Sequence, residues 1–386
     1  MGSRTNMTTL SSQQTSAIRT LAIPEPKLEM AGPDLWRLTA SVDGSEVFFE
    51  ASVPLSPRPE VLVCPFLLPT MSRGMDMEVA GVLSAGFLEN LKFVRHRAME
   101  WWPELSAGNV RACIGPPAPP APHAAVFYTG GVDSSYVLQQ LHSRLRYAIF
   151  VEGFDVSLKD LPRLQGVREW LGKTTRVCGV ELLVVRTNLR EHPLFREVGW
   201  EISHIAALAA IAHALGQHVH TMYIAASDVE PPWGSAPDLD AAWSSESVHI
   251  ENFSAELTRL QRVASIANWT PLRGRLRVCW ENNSSDLNCG FCEKCVRTRL
   301  GLYVSGAPDG LDSFPPDQSL RATLGRLSSV PHELHGQWRE VAASLTDPGL
   351  RREVERILQG RPHPLWWRAL RRLKRIARQA LHRERR

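Results

Sequence analysis

The 386-residue sequence lacks a long apolar run, since no stretch approaches the roughly 20 apolar residues that cross a bilayer. Residues 1–14 are polar and lack the apolar h-region of a secretory signal, so we expect a disordered leader and a cytoplasmic protein. A dominant charge is also lacking, because 44 Lys and Arg are balanced by 40 Asp and Glu. The hydrophobic content of 44% is enough for a substantial core, and the length predicts two or three domains.

The small positive charge is concentrated at the C terminus. Residues 365–386 hold nine Lys and Arg and one Glu, a net charge of +8; since the whole chain carries +4, the rest carries −4. We predict a helical extension over 311–386 with a basic, amphipathic end. This end either binds a polyanion or an acidic partner, or packs on the body, which we favour slightly. Its apolar face carries Trp366, Leu370, Leu373, Ala377 and Leu381.

The most informative motif is a glycine pair between a predicted strand, Ala124–Tyr128, and a predicted helix, Ser134–Arg144. Glycines let the backbone approach a phosphate closely, and the free N–H groups of a helix N-terminus favour an anion. Hydroxyl groups add donors, and a carboxylate at this place can hold Mg²⁺ beside phosphates. The predicted nucleotide-phosphate site consists of Thr129, Gly130, Gly131, Val132, Asp133, Ser134 and Ser135.

Two related motifs are excluded by what this loop lacks. No Gly-Lys-Ser/Thr follows the glycine pair, so the loop is not a Walker P-loop. The third glycine of a dinucleotide-binding fingerprint is missing. The remaining alternative is a Gly-Gly turn with a Ser or Asp helix cap, and the strand–loop–helix context favours the phosphate site over it.

Four cysteines form the second motif, and three of them are separated by two residues each. Four thiolates at this spacing suit a tetrahedral Zn²⁺ site. A redox CxxC pair and an iron–sulfur cluster are the alternatives, and zinc is favoured because it needs no cofactor machinery. Disulfides are disfavoured by the expected reducing compartment. The predicted metal ligands are Cys279, Cys289, Cys292 and Cys295.

Together these motifs resemble the PP-loop ATP pyrophosphatase superfamily (adenine nucleotide alpha hydrolase-like). The loop of that superfamily usually reads Ser-Gly-Gly-x-Asp-Ser, and here Thr129 replaces the first Ser and keeps its hydroxyl. The order of loop first and cysteines late is similar to the cyano-deazaguanine synthase group. The resemblance covers about half of the chain, Ala124–Leu302. It implies ATP and Mg²⁺ as cofactors, a structural Zn²⁺, and ATP cleavage between the α and β phosphates, with a substrate oxygen adenylated and AMP then displaced.

Strand-like and helix-like segments alternate over 123–310, which predicts an α/β domain with a parallel, doubly wound sheet. The resemblance implies that this sheet is of the HUP type. Ligands of such sheets lie beyond the carboxyl ends of the strands. Val151 and Glu152 end the second strand, where relatives hold adenine largely by backbone, and Ser227 and Asp228 follow the fourth. The predicted strands are 124–128, 147–151, 182–185 and 221–225, and the further helices are 161–171 and 203–215.

The region before this domain is interpreted as a small β-rich domain, 15–114, closed by one helix and followed by a stiff proline-rich linker, 115–122. Asp43-Gly44 between two strand-like segments predicts a hairpin turn. The apolar run Val61–Leu68 predicts a strand, whereas Val82–Trp102 predicts a helix because its apolar residues recur at helical spacing.

Catalysis is assigned to Asp133, Ser134 and Arg297. Basic residues must balance a triphosphate, and a solvated basic face is the alternative for most of the candidates. In the cyano-deazaguanine synthase group, an Arg or Lys closely follows the last cysteine; here Arg297 and Arg299 lie two and four residues beyond Cys295, and both fit this position. The basic candidates near the cysteines are Arg259, Arg262, Lys294, Arg297 and Arg299.

The segment 230–245 is rich in Pro and Trp, and a loop of this length is usually functional or disordered. Substrate recognition and a packed surface loop have equal weight. If the loop recognises a substrate, its candidate contacts are Trp233, Ser235, Asp238 and Trp243. His204 and His213 are expected in the core rather than in catalysis. His249 and Glu251 are weaker candidates for the cleft.

Three functions remain open. The first is an ATP-dependent ligase, forming an amide through an adenylated carboxylate or amide oxygen of a small molecule. The second is a tRNA- or nucleobase-modifying sulfur or nitrogen transferase, for which Cys178 is the one thiol candidate of the domain outside the cysteine cluster. The third is a nucleotide-binding partner module without turnover, which the intact hydroxyls and Asp133 disfavour. A homo-oligomer is expected in each case.

Overall fold

The computed structural model describes residues 19–229, 231–282, 286–307, 312–316 and 319–360. The expected leader, 1–14, and the basic tail, 365–386, lie outside these ranges. The fold is mixed α/β, with an eight-stranded mixed sheet and a three-stranded parallel sheet. Within the described ranges, no helix combines the length and the apolarity needed to cross a membrane.

Strands and helices alternate along most of the chain. The strands are β1 (Thr20–Ile23), β2 (Lys27–Gly32), β3 (Leu35–Val42), β4 (Ser45–Ala51), β5 (Asp76–Leu83), β6 (Val110–Ile114), β7 (His123–Phe127), β8 (Tyr147–Glu152), β9 (Glu181–Thr187), β10 (Val219–Ala225) and β11 (His249–Phe253). The helices are α1 (Glu60–Ser72), α2 (Ala85–Trp101), α3 (Val132–Leu141), α4 (Leu161–Val177), α5 (Trp200–Ala214), α6 (Pro237–Ala241), α7 (Arg259–Ile266), α8 (Glu293–Val304), α9 (Leu320–Leu324), α10 (His335–Ser344) and α11 (Pro348–Leu358).

The larger sheet has the order β11-β10-β7-β8-β9-β4-β3-β2. The strands β7 to β11 are parallel, while β4 pairs antiparallel with β9 and β3, and β2 pairs antiparallel with β3. From β7 the chain runs outward to β9, then crosses to β10 on the other side of β7. In open α/β sheets, such a reversal opens a ligand crevice at the carboxyl ends of the two strands that flank it.

Helices cover both faces of the parallel strands. Along β8, Ile149 and Val151 join the core cluster that contains α1 and α5, whereas Ala148 and Phe150 join the cluster that contains α3 and α4. All six residues of β8 are buried. A strand covered on both faces reads as a continuous apolar run. The predicted α/β class is therefore confirmed.

The prediction of a strand over Val61–Leu68 is wrong. This segment lies within α1, in which every residue from Glu60 to Met71 is buried. A helix that is apolar on all sides has no periodicity to distinguish it from a buried strand. The helix predicted from Val82 to Trp102 is present as α2, and Ser84 caps it by accepting the amide of Phe87.

The hairpin predicted at Asp43-Gly44 is confirmed as β3 and β4, and both turn residues have positive φ, +50° and +75°. However, the hairpin does not belong to a sheet of its own. Its strand β4 pairs with β9, placing Phe49 opposite Thr187, so the hairpin and β2 extend the large sheet. The three-stranded sheet is formed by β1, β5 and β6.

A row of charges crosses the junction between the hairpin and the parallel strands. The Arg186 guanidinium lies 3.0 Å from Glu50 of β4 and 3.2 Å from Glu152 of β8. Arg37 reaches the other oxygen of Glu50 at 3.4 Å, and Arg168 of α4 also pairs with Glu152. Because the Glu152 side chain is fully buried, its charge depends on these partners. These ion pairs connect the hairpin to the carboxyl end of β8.

The turn after β8 yields a stability prediction. Gly153 has φ +99°, and a Cβ there would lie 1.9 Å from the carbonyl oxygen of Thr187. Since neither backbone segment can move freely, Gly153→Ala should lower the free energy of unfolding by about 2–4 kcal/mol. Gly166→Ala is the matched control, because Gly166 lies inside α4 with open space around its Cβ. Alanine at position 166 should stabilise by about 0.5–1 kcal/mol. Urea unfolding measures both, and equal stability of the variants would contradict this packing.

Candidate functional site

The predicted phosphate loop lies at the carboxyl end of β7, beside the reversal in strand order. Gly130 has φ +73°, and a Cβ there would lie 2.9 Å from Leu171, so a larger residue does not fit. Gly131 is extended and α3 begins at Val132. Among the described residues, the amides from Gly130 to Ser134 meet no hydrogen-bond acceptor. Free N–H donors at a helix N-terminus favour an anion.

The hydroxyl groups of the loop differ in where they lie. The Ser134 hydroxyl accepts the Thr129 amide at 3.4 Å and lies 3.5 Å from the Thr129 hydroxyl, so both hydroxyls flank the turn. Ser135 is fully buried, and its amide donates to the carbonyl of Gly131 at 2.9 Å. The Ser135 amide is therefore used within α3, and its hydroxyl is buried with no hydrogen-bond partner among the described residues.

Asp133 is the electrostatic centre of the site. Its carboxylate pairs with Arg259, and at 3.0 Å with Arg262, while 27% of the side chain stays exposed. Burial by itself raises the pKa of Asp133, but the positive charges of Arg259, Arg262 and Lys294 outweigh it and bring the pKa below its ordinary value. The carboxylate is thus ionised and positioned between cations.

The two arginines beside Asp133 are held differently. Arg262 is 1% exposed, and its guanidinium also donates to the carbonyls of Ala226, Ser254 and Leu257 at 2.7–2.9 Å. It therefore clamps the segments that follow β10 and β11. Among the described residues, the Arg259 guanidinium contacts one side chain besides Asp133, the Thr298 hydroxyl at 3.5 Å. This guanidinium is buried, and its Nε has no hydrogen-bond partner among the described residues.

Two further cations of α8 approach the same place. Lys294 makes no ion pair with any described residue, and burial together with Arg259 lowers its pKa. Arg297 pairs with Glu293 at 2.6 Å and with the Gln337 side chain, and burial lowers its pKa as well. Four cations thus lie around Asp133 and Glu293. Two more carboxylates are close, since Asp155 acts on Lys294 and Asp228 accepts the Arg259 amide. Lys294 is the cation of this group that makes no ion pair with a described residue.

Gln337 of α10 is a site residue that sequence reasoning missed. Its amide nitrogen donates to the carbonyl of Asp228, and its oxygen accepts from Arg297. The Asp228 carboxylate in turn accepts the Arg259 amide at 2.9 Å, while Ser227 is exposed at the end of β10. No motif surrounds Gln337, so no sequence signal could have found it.

The other predicted nucleotide contacts lie at the end of β8. Val151 is buried in the core, and the Glu152 side chain is bound by Arg168 and Arg186. Both residues therefore retain only main-chain groups for a ligand.

The four predicted metal ligands come together. The sulfur atoms of Cys279, Cys289, Cys292 and Cys295 all lie within 4.8 Å of one another and are buried. Cys289 and Cys295 are 3.9 Å apart, close to the ~3.8 Å between sulfurs in a tetrahedral zinc site. The Cys292 amide donates to the Cys289 sulfur at 3.3 Å. The cluster is consistent with a zinc site.

The electrostatics of the cluster favour a cation. Hydrogen bonds from the neighbouring thiols lower the pKa of Cys279, whereas the nearby thiolates raise the pKa of Cys295. Four thiolates at this distance repel one another, so all four ionise together only with a cation among them. The donor set and its spacing fit Zn²⁺ better than a disulfide.

The cysteine cluster is connected directly to the phosphate loop. The Arg277 amide donates to the carbonyl of Gly130 at 2.8 Å. Asn288, 2% exposed, accepts the amides of Val278 and Cys279 and donates to the carbonyls of Leu276 and Ser313. Arg299 donates to the carbonyl of Gly290, so it supports this cluster rather than the phosphate loop.

The segment 231–245 is packed against the body. Trp243 is fully buried, Asp238 pairs with Arg97 of α2, and the Ser235 hydroxyl donates to Asp240 at 2.7 Å. Trp233 lies beside His204, with ring centroids 5.8 Å apart. These contacts favour the packed loop over a substrate-recognition loop.

Three other candidates lie away from the phosphate loop. His249 and Glu251 occupy the amino-terminal half of β11, on the edge of the sheet. Cys178 follows the C-terminus of α4, at the amino-terminal edge of the parallel strands, and burial raises its pKa to about 11. None of the three lies at the carboxyl ends of the strands, where the phosphate loop begins.

No family model, curated protein or solved structure matches the chain.

The cysteine cluster predicts one tightly bound zinc per chain. Elemental analysis of the purified protein should find it, and Cys289→Ser should remove it. Because a structural zinc contributes to folding, the loss of several kcal/mol should lower the Tm by about 10 °C. Cys178→Ser is the control, since Cys178 lies outside the cluster. Iron with visible absorbance, or zinc retained by Cys289→Ser, would contradict the assignment.

Buried histidines predict the direction of the pH dependence of stability. Burial lowers the pKa of His192, His204 and His213 from the ordinary 6.5. As the pH falls through 6.5, the unfolded chain binds protons before the native state does, so stability should fall by up to about 1.4 kcal/mol per unit per histidine. Burial raises the pKa of Asp240 to about 6, so this carboxyl binds a proton in the native state first and stabilises it as the pH falls. One such group opposes the three histidines. Urea unfolding at pH 7.5 and 5.5 tests this; higher stability at pH 5.5 would refute it.

Proposed function

We propose that this protein is an AMP-forming, ATP-dependent ligase of the PP-loop type. In this proposal it adenylates a carboxylate or amide oxygen of a small molecule, releases pyrophosphate, and passes the activated group to a nitrogen nucleophile. The proposal includes a nucleotide-binding sheet of the HUP type. Its parallel strands run in the order β9-β8-β7-β10-β11, and the phosphate loop follows β7, where the order reverses.

One observation carries the proposal. The free amides of the phosphate loop adjoin Asp133, whose carboxylate pairs with Arg259 and Arg262 and whose pKa Lys294 also lowers. Amide donors and several cations at one point suit phosphate oxygens. Lys294 supports this most directly, because it has no ion pair with a described residue and gains one from a phosphate.

The residues suggest a division of roles. The amides of Gly130 to Ser134, with the hydroxyls of Thr129 and Ser134, would hold phosphate oxygens. Asp133 would exchange an arginine for Mg²⁺, which neutralises charge on the phosphates when bound. Arg259, Lys294 and Arg297 would stabilise the charge that develops on the departing pyrophosphate.

The two alternatives receive less support. A sulfur transferase needs a thiol at the cleft, and Cys178 lies at the opposite edge of the sheet. The basic tail that would bind RNA lies outside the described residues. A module that binds nucleotide without turnover remains distinguishable by experiment, because it would bind ATP and release no AMP.

The function is tested by incubating the protein with ATP, Mg²⁺ and pools of small carboxylic acids. Hydroxylamine serves as a general nucleophile that traps an acyl adenylate as its hydroxamate. We expect AMP, pyrophosphate and hydroxamate in equal amounts from a pool that contains the substrate. Binding of α,β-methylene-ATP without AMP release from any pool would indicate the non-catalytic module.

Two variants test the site. Asp133→Asn should lower AMP formation at least about 100-fold, because a neutral amide cannot balance Mg²⁺ and the arginines. Lys294→Gln should also weaken binding of α,β-methylene-ATP, and it breaks no ion pair with a described residue, so its fold should persist. Asp34→Asn, in the exposed turn between β2 and β3, is the matched control. Unchanged turnover of Asp133→Asn would exclude the assigned role.

A further inference from the structure

A second cleft opens next to the phosphate site. It has a volume of about 730 Å³ and lies between the segment after β10, the start of α7 and the first turn of α10. Asp228 and Gln337 line it. The same two residues contact Arg259 and Arg297 of the cationic group, so the cleft and the phosphate site share a wall.

The two sides of this wall carry opposite charge. Cations dominate the phosphate side, whereas Asp228, Glu333 and Glu340 line the cleft against a single arginine, Arg339. The Thr258 hydroxyl occupies one oxygen of Glu340 at 2.6 Å, and the Arg259 amide occupies one oxygen of Asp228. Their second oxygens and the Glu333 carboxylate have no partner among the described residues. A triphosphate would be repelled here, and a small cation would be attracted.

We propose that this cleft binds the nucleophile of the reaction as a primary ammonium group. The carboxylates Asp228, Glu333 and Glu340 would supply acceptors for its three N–H donors. The inference rests on the proposed function and adds to it the chemical class of the second substrate, an alkyl amine.

The chemistry of the amine also suits the lining of the cleft. His332 and His335, with ring centroids 5.1 Å apart, both line it. An ammonium ion must lose one proton before its nitrogen lone pair attacks the acyl carbon of an adenylate, and a second when the C–N bond has formed. The C–O bond to AMP breaks, and its electron pair leaves with AMP. The two imidazoles that line the cleft are the general bases at hand for these protons.

The inference is tested by direct binding to the full-length protein, with 1,4-diaminobutane as the probe. Saturation-transfer NMR, followed by titration, reports binding without turnover. Uncharged 1,4-butanediol and anionic succinate have similar length and separate charge from shape. The double variant Glu333→Gln, Glu340→Gln removes two charges, while the amide oxygen can still accept from Thr258. Glu355→Gln on α11 is the matched control, because Glu355 is exposed and does not line the cleft.

We expect the diamine to bind the unmodified protein and Glu355→Gln equally, and at least tenfold more weakly in the double variant. Butanediol and succinate should not bind. Absence of diamine binding, equal binding in the double variant, or a preference for succinate through Arg339 would each overturn the inference.

Binding of α,β-methylene-ATP, measured on the same samples, separates this inference from the proposed function. If the ATP analogue binds and the diamine does not, the amine site alone is rejected. If the diamine binds with the expected dependence on Glu333 and Glu340 while the analogue does not, the cationic specificity of the cleft is supported and the proposed ATP chemistry fails.

Discussion

The ion pairs of Asp133 with Arg259 and Arg262 join the parts of the molecule on which the site depends. Asp133 lies in the first turn of α3, and both arginines lie on α7. Arg262 also binds the carbonyls of the segments that follow β10 and β11. One carboxylate and one guanidinium therefore connect the carboxyl ends of three neighbouring strands. Because Arg262 is almost fully buried, salt screens this connection less than it screens an ion pair on the surface.

The cysteine cluster acts on the same loop from the other side. The Arg277 amide binds the Gly130 carbonyl, and Asn288 holds the segment from Leu276 to Cys279 in place. Folding of the cluster and the shape of the phosphate loop are thus coupled through three residues of main chain. A metal bound by the four thiolates would stabilise both at once.

Four of the five parallel strands of the large sheet, β7 to β10, were predictable because their physical signal is local, whereas β11 was not predicted. Strands covered on both faces read as apolar runs, and α4 between them has a side-chain cap, Asp160, and an apolar face at helical spacing. The same rule failed at Val61–Leu68, since a helix buried on all sides gives the same apolar run. The pairing of β4 with β9 was not predictable, because it joins residues more than 130 positions apart and leaves no local pattern. The packing of segment 231–245 was not predictable for the same reason, because its contacts are with α2 and β11.

The amino-acid sequence alone determined the features whose geometry is contained in a few neighbouring residues. These are the glycine turn with its free amides, the spacing of the cysteines and the hairpin turn at Asp43-Gly44. Tertiary structure decided which charges act together. The sequence does not distinguish Arg259 from Arg299. In the structure, Arg259 pairs with Asp133, whereas Arg299 supports the cysteine cluster. Gln337, in a helix about 200 residues beyond the phosphate loop, completes the site without belonging to any motif. Electrostatic interactions depend on distance and burial, and only the folded chain sets both.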